Sequence, residues 1–184
     1  MLDQEIIDFC QNWNAKIEAN KGDNLSDVYE RYRDLFTVYN KLYNQVPDAL
    51  VAIGNPYVGR ITDSAGATDI AIQYLGGANI LANFHANNLD NDIDGIARLI
   101  DQEVFYIKIR NGQRDRNADL EILQNLRSAN ADIKAKAILQ VIYLVRCNLV
   151  HGSKDYQEYQ RLLLEPLTNL LRTLITQLYS ELSK

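Results

Sequence analysis

Apolar side chains recur along this chain at intervals of three and four, the spacing of one helical face, and alternation at intervals of two surfaces only within residues 104–109, inside a longer helical pattern. An all-α protein is the prediction. Ile6, Phe9, Trp13 and Ile17 form the stripe of a first helix over about residues 3–19, ending in the polar turn Lys21-Gly22-Asp23-Asn24. Ser26 then stands as the N-cap of a second helix reaching about Gln45. Five rings line it, Tyr29, Tyr32, Phe36, Tyr39 and Tyr43, with Leu35 and Leu42 beside them. Such a stripe can stack bases, but at helical spacing it reads first as a packed core face.

Gly54, Pro56, Gly59 and Gly66 punctuate residues 47–66, which read as a loop. Helical pattern resumes near Thr68, with a break expected at Gly76-Gly77, and runs to about Asn87; the next helix spans about residues 92–109. A turn rich in basic residues, Asn111-Gly112-Gln113-Arg114-Asp115-Arg116, precedes a short helix over about 118–127. The helix expected at 131–150 is apolar nearly all round from Ala137 onward, which marks the central helix of a bundle. A long last helix over about 155–182 contains Pro166, expected to kink or interrupt it. With no internal repeat, residues 1–184 read as a single domain.

Composition adds limits. A hydrophobic fraction of 47% with only 3 prolines and 9 glycines excludes a disordered or collagen-like chain. Acids at Asp3 and Glu5 stand where an export signal would be basic, and the apolar run 137–150 is too short for a membrane span and is interrupted by Gln140 and Arg146. A soluble, cytoplasmic protein with no membrane partner is expected, and Cys10 and Cys147, far apart in sequence, are expected as free thiols. The net charge of −5 is uneven: residues 1–133 hold 12 basic against 20 acidic side chains, whereas 134–184 hold 7 against 4. This argues against indiscriminate coating of nucleic acid and leaves room for a local anion site in the C-terminal part.

That part holds the candidate chemistry. Arg146 sits in the apolar central helix, where a permanently charged guanidinium needs an anionic partner. The partner is either an acid such as Glu165 or a phosphate. His151 follows five residues later, at a helix end marked by Gly152. On an ideal helix the two lie about 140° apart, so convergence needs the turn or a second copy of the chain. Asn148, three residues before His151, shares its face and is placed to orient the imidazole or to bind a phosphate oxygen.

Three other patterns are weaker. Cys147 and His151 at i, i+4 suggest a thiol dyad or half a zinc site, but Cys10 and His85 do not complete a ligand set. Residues 90–101 match the spacing of an EF-hand loop, with Asp101 where glutamate is usual, and serve equally as the acidic start of a helix. His85 is assigned no role.

The string Arg146-Cys147-Asn148-Leu149-Val150-His151-Gly152 resembles the Arg-x(4-6)-His motif of the HEPN superfamily. Leu35-Phe36-Thr37-Val38-Tyr39-Asn40-Lys41-Leu42-Tyr43 is similar to the aromatic pattern of an earlier helix in such proteins, with Phe36 and Tyr39 at its Trp and Phe positions. One departure stands out: Cys147 follows the arginine, where active members usually carry a polar residue. The resemblance implies an up-and-down helical bundle of the HEPN type with additional N-terminal helices. It also implies a homodimer that pairs two motifs in one cleft, and a metal-independent endoribonuclease of toxin or phage-defence type that needs no cofactor. RNA and an antitoxin protein are the partners so implied.

The residues suit that reaction. The ribose 2′-OH attacks the adjacent phosphate, His151 serves as acid or base, and Arg146 clamps the phosphate. Asn148 completes the catalytic candidates. Arg110, Arg114 and Arg116, with Lys154 after the motif, are the candidate RNA contacts, although the nearby acids Asp115, Asp119 and Glu121 also suit an ordinary solvated surface. The alternative is a non-catalytic HEPN-like helical interaction or RNA-binding module.

Overall fold

The computed structural model describes residues 2–110, 113–150 and 157–184, and of Arg110 and Val150 the backbone only. It is 76% helical, with strand among the described residues confined to one pair of two-residue segments, so the fold is all-α. Helix α1 (Gln4–Ala19) buries Ile6, Cys10 and Ile17 and lies against α2 (Leu25–Tyr43). The cap of α2 lies two residues earlier than expected: Asn24, not Ser26, accepts from the Asp27 amide at 3.0 Å.

The aromatic stripe of α2 is buried as a packed face. Phe36 meets Tyr39 edge-on at 5.9 Å and Tyr39 meets Tyr43 at 5.0 Å, while the Tyr32 and Tyr39 hydroxyls donate to the carbonyls of Ile142 (2.6 Å) and Ala67 (2.8 Å). Each of these two tyrosines thus buries apolar area and satisfies its polar end on another element.

Residues 47–66 are more regular than the sequence suggested. Pro47 occupies the first turn of α3 (Val46–Ala52), where its missing amide removes no helical bond, so only 53–62 is irregular. Thr62 caps α4 (Asp63–Ala65), which runs through a wider π turn (Gly66–Ile70) into α5 (Ala71–Leu75). Gly66 lies against Tyr43, whose ring would stand 2.8 Å from a Cβ there. The expected break falls at Gly76, whose φ of +79° ends α5 before α6 (Gly77–Ala86).

Helix α7 (Asp90–Asp101) covers the whole stretch with EF-hand spacing, so those acids form a helix start and not a calcium loop. It stops eight residues short of the expected Ile109. Glu103 takes a left-handed φ of +59°, and the Arg116 guanidinium closes the helix end by donating to the carbonyls of Ile100 (2.7 Å) and Asp101 (3.2 Å). The alternation in 104–109 was the true signal: the segment is extended, with Phe105 and Ile107 buried. It continues into β1 (Ile109–Arg110), antiparallel to β2 (Gln113–Arg114); Asn111 and Gly112, the centre of the expected turn, lie outside the described residues.

Asp115 caps α8 (Arg116–Leu126), and α9 (Ala131–Val150) starts at the expected residue, while its expected end borders residues 151–156, which lie outside the described residues. After a 3₁₀ turn (Glu158–Gln160), α10 (Arg161–Leu182) passes through Pro166 without interruption. The amide that Pro166 lacks would have bonded the carbonyl of Leu162, an exposed residue, which explains the tolerance. Helix α10 lies along α2 and touches α6 and α7, while α9 packs on α6 and α8 and buries Ala135, Ile138, Leu139, Val141, Ile142 and Val145. Among the described residues no helix is long and apolar enough to cross a membrane.

Candidate functional site

Helices α2 and α9 meet through long side chains: Tyr32 reaches the Ile142 carbonyl, and Phe36 stands 6.3 Å from Tyr143. Beyond these contacts, toward the start of α2 and the end of α9, they leave a cleft of about 230 Å³. Ser26, Tyr29, Glu30 and Arg33, one face of α2 at three- and four-residue spacing, line one wall, with Tyr32 beside them. Arg146 and Leu149, one turn apart on α9, line the other.

Arg146 is half-buried, its guanidinium 5.2 Å from the centre of the Phe36 ring. Among the described residues no carboxylate comes within ion-pair distance of it. Glu165, the acid weighed as its partner, instead accepts from Arg161 at 3.1 Å, and Arg161 also pairs with Glu158 and Asp23. The nearby tyrosines provide no counter-charge. Burial pushes the hydroxyls of Tyr32 and Tyr43 well up, and Arg146 only partly opposes this, so both phenols stay protonated.

The segment 35–43 that carries part of the resemblance lines none of the cleft but stands next to it, against Arg146. Phe36 supports Arg146, and Tyr43 donates to Asp63 at 2.5 Å while Asn40 donates to the same carboxylate at 3.1 Å. Asp63 and Cys147 both stand beside the Tyr143 hydroxyl, which burial first and these two groups second push up. Cys147 is half-buried and both cysteines are free, as their spacing implied.

Asn148 points elsewhere. It stands two positions after Arg146, a rotation of about 200° on a helix. Its amide donates to the Ile107 carbonyl at 3.0 Å, tying the end of α9 to the extended segment. There it lines a cavity of about 20 Å³ on the far side of Tyr29 and Leu149, room for roughly one water and not for a phosphate. His151, Gly152 and Lys154 lie outside the described residues.

The other basic candidates fall into two kinds. Arg114 is exposed on β2 with its guanidinium 4.0 Å from the Tyr106 ring centre, which leaves its outer edge available. Arg116 is committed to the carbonyls at the end of α7 and pairs with Glu103 at 3.4 Å, which is a structural task. Of Arg110 only the backbone is described. The hairpin hangs from Asp119, fully buried on α8, whose carboxylate accepts from the amides of Ile107 (3.1 Å) and Lys108 (2.7 Å). Asp119 was not singled out as such an anchor from sequence, because an acid in a polar helix reads as surface.

A larger groove of about 460 Å³ lies between α1, α2 and α10, but its only charged lining groups, Glu18 and Arg172, pair with each other. Among the described residues no cluster of His, Cys, Asp and Glu could hold a metal ion. His85 is exposed and paired with Asp90 at 2.5 Å. Compared with known proteins, the chain matches no family model, no curated protein and no solved structure.

Proposed function

We propose that this chain is a metal-independent endoribonuclease of the HEPN type, acting as a homodimer in which Arg146 binds the scissile phosphate and His151 transfers protons. One observation carries the reading: Arg146 opens on a cleft at the end of the central helix with no carboxylate among the described residues within ion-pair distance, the cleft's own acid, Glu30, included. A buried or half-buried guanidinium without a carboxylate is a standing demand for an anion, and its planar fork fits two oxygens of a phosphodiester. His151 lies five residues further on, and imidazole titrates close to neutral pH, which suits both the removal of the 2′-OH proton and the protonation of the leaving 5′-oxygen. The pairing of two subunits supplies one histidine for each transfer. Asn148 enters as the tether of the extended segment to α9 and not as a phosphate ligand.

The reaction class fixes the products. Purified protein incubated with single-stranded RNA in EDTA is expected to give fragments with 2′,3′-cyclic phosphate and 5′-hydroxyl ends, and to leave DNA of the same sequence intact. Cleavage that disappears in EDTA, or products with 3′-hydroxyl ends, would contradict it. The same cleft would serve a non-catalytic RNA-binding module, which the assay separates by intact RNA.

A further inference from the structure

The cleft has a second cation that the motif does not contain. Arg33 stands on α2 one turn after Glu30 and two turns after Ser26, on the wall facing Arg146. Its side chain is 59% exposed, and its carboxylate contacts are long, 3.4 Å from both Nε and Nη2 to Asp34. Asp34 itself is buried and already pairs with Lys16 at 2.9 Å. The Arg33 guanidinium is thus only loosely held, and against the single acid of the cleft, Glu30, it leaves two positive charges to one negative.

Size narrows the ligand. Sites that enclose whole drug-sized molecules run to roughly 300–1,000 Å³. At about 230 Å³ this cleft falls below that range, and the two guanidiniums on its facing walls suit the phosphodiester of a strand. We propose that Arg33 is a backbone ligand for single-stranded RNA, gripping from α2 the phosphodiester strand that Arg146 grips from α9. The inference rests on the RNA reading above, and it adds a substrate-binding residue and a contact that does not read base sequence.

A strand methylated at every 2′-oxygen separates binding from cleavage, because it has no nucleophile. Its affinity for the full-length protein is measured by fluorescence anisotropy across a salt series for wild type, Arg33→Gln, Arg146→Gln and Lys136→Gln. Lys136 lies on α9 about 15 Å from Arg146 by helical rise and serves as the control. Each contacted phosphate contributes about 0.7 to the slope of log affinity against log salt for a single strand. Arg33→Gln is expected to weaken binding about three- to tenfold at low salt and to make the slope shallower by about 0.7. Arg146→Gln should do the same, and Lys136→Gln should change neither quantity.

Unchanged affinity and slope in Arg33→Gln would overturn the inference, as would wild type that fails to bind the methylated strand. Cleavage dependent on Arg146 and His151 but indifferent to Arg33 removes this inference alone. Binding dependent on Arg33 by a wild type that never cuts RNA removes the nuclease reading alone.

Discussion

Arg146→Ala is expected to slow RNA cleavage by about 10²–10³-fold while leaving the protein folded, because a positioned donor to developing charge is worth about that much. Two magnitudes keep the effects apart. The packing of the guanidinium on Phe36 is a cation–π contact at a half-exposed site, worth about 0.5–1 kcal/mol. At this chain length that corresponds to a fall in Tm of roughly 1–4 °C. Removing a lone charge from a crevice also relieves desolvation, which offsets part of the lost contact. Arg146→Lys keeps the charge without the bidentate fork, so it should recover binding better than rate. Initial rates and thermal melts on the same preparations check this; a rate loss that merely tracks unfolding would make Arg146 a packing residue.

The second large effect is on stability. Asp119→Ala removes the acceptor for two backbone amides, one buried at Ile107 and one half-buried at Lys108. Stranding them costs about 2–4 kcal/mol, a fall in Tm of roughly 5–15 °C. The loss spreads toward the cleft, since the Ile107 carbonyl is the partner of Asn148 and Phe105 packs 5.3 Å from Tyr159 beside the start of α10. Cleavage measured well below Tm should therefore fall as well, more through affinity than through chemistry.

Asp119 also carries a pH signature. Burial raises its carboxyl above the ordinary carboxylate range, and the two amides only partly oppose this. A proton held more tightly in the folded state adds stability below that range, and the increment is lost as pH rises through the raised value. Wild type should accordingly lose more stability than Asp119→Asn when pH is brought from below the ordinary range to neutrality.

Much of the architecture was legible because it depends on local pattern. The stripes of α1 and α2, the break at Gly76 and the start of α9 follow from spacing and from one glycine conformation. Two of the misreadings share a cause: a distant partner decided each. Helix α7 ends where Arg116, fifteen residues away, closes its carbonyls, and the extended run 105–108 is held by Asp119. The loop expected from residue 47 begins only at 53, because Pro47 sits in the first turn of α3, and Pro166, expected to kink or interrupt the last helix, passes without interruption beside the exposed Leu162.

The site divides the same way. Arg146 stood out as a charge in an apolar helix, whereas Arg33 lies in a polar helix face where a charge is ordinary. Its one sequence signal was the spacing of Ser26, Tyr29, Glu30 and Arg33, which shares a face only once α2 is aligned with the end of α9. Asn148 shared a predicted face with His151, but the extended segment, unseen in the helical reading of 92–109, takes its amide.

The most direct test is single-turnover cleavage of one RNA in EDTA by wild type and by His151→Ala, both shown folded by circular dichroism and matched in oligomeric state. The expected result is cyclic-phosphate ends from wild type and a rate lower by about 10²–10⁴-fold in the variant. Equal cleavage by both proteins, or RNA left whole by wild type, would contradict the assignment of Arg146 and His151 to RNA cleavage.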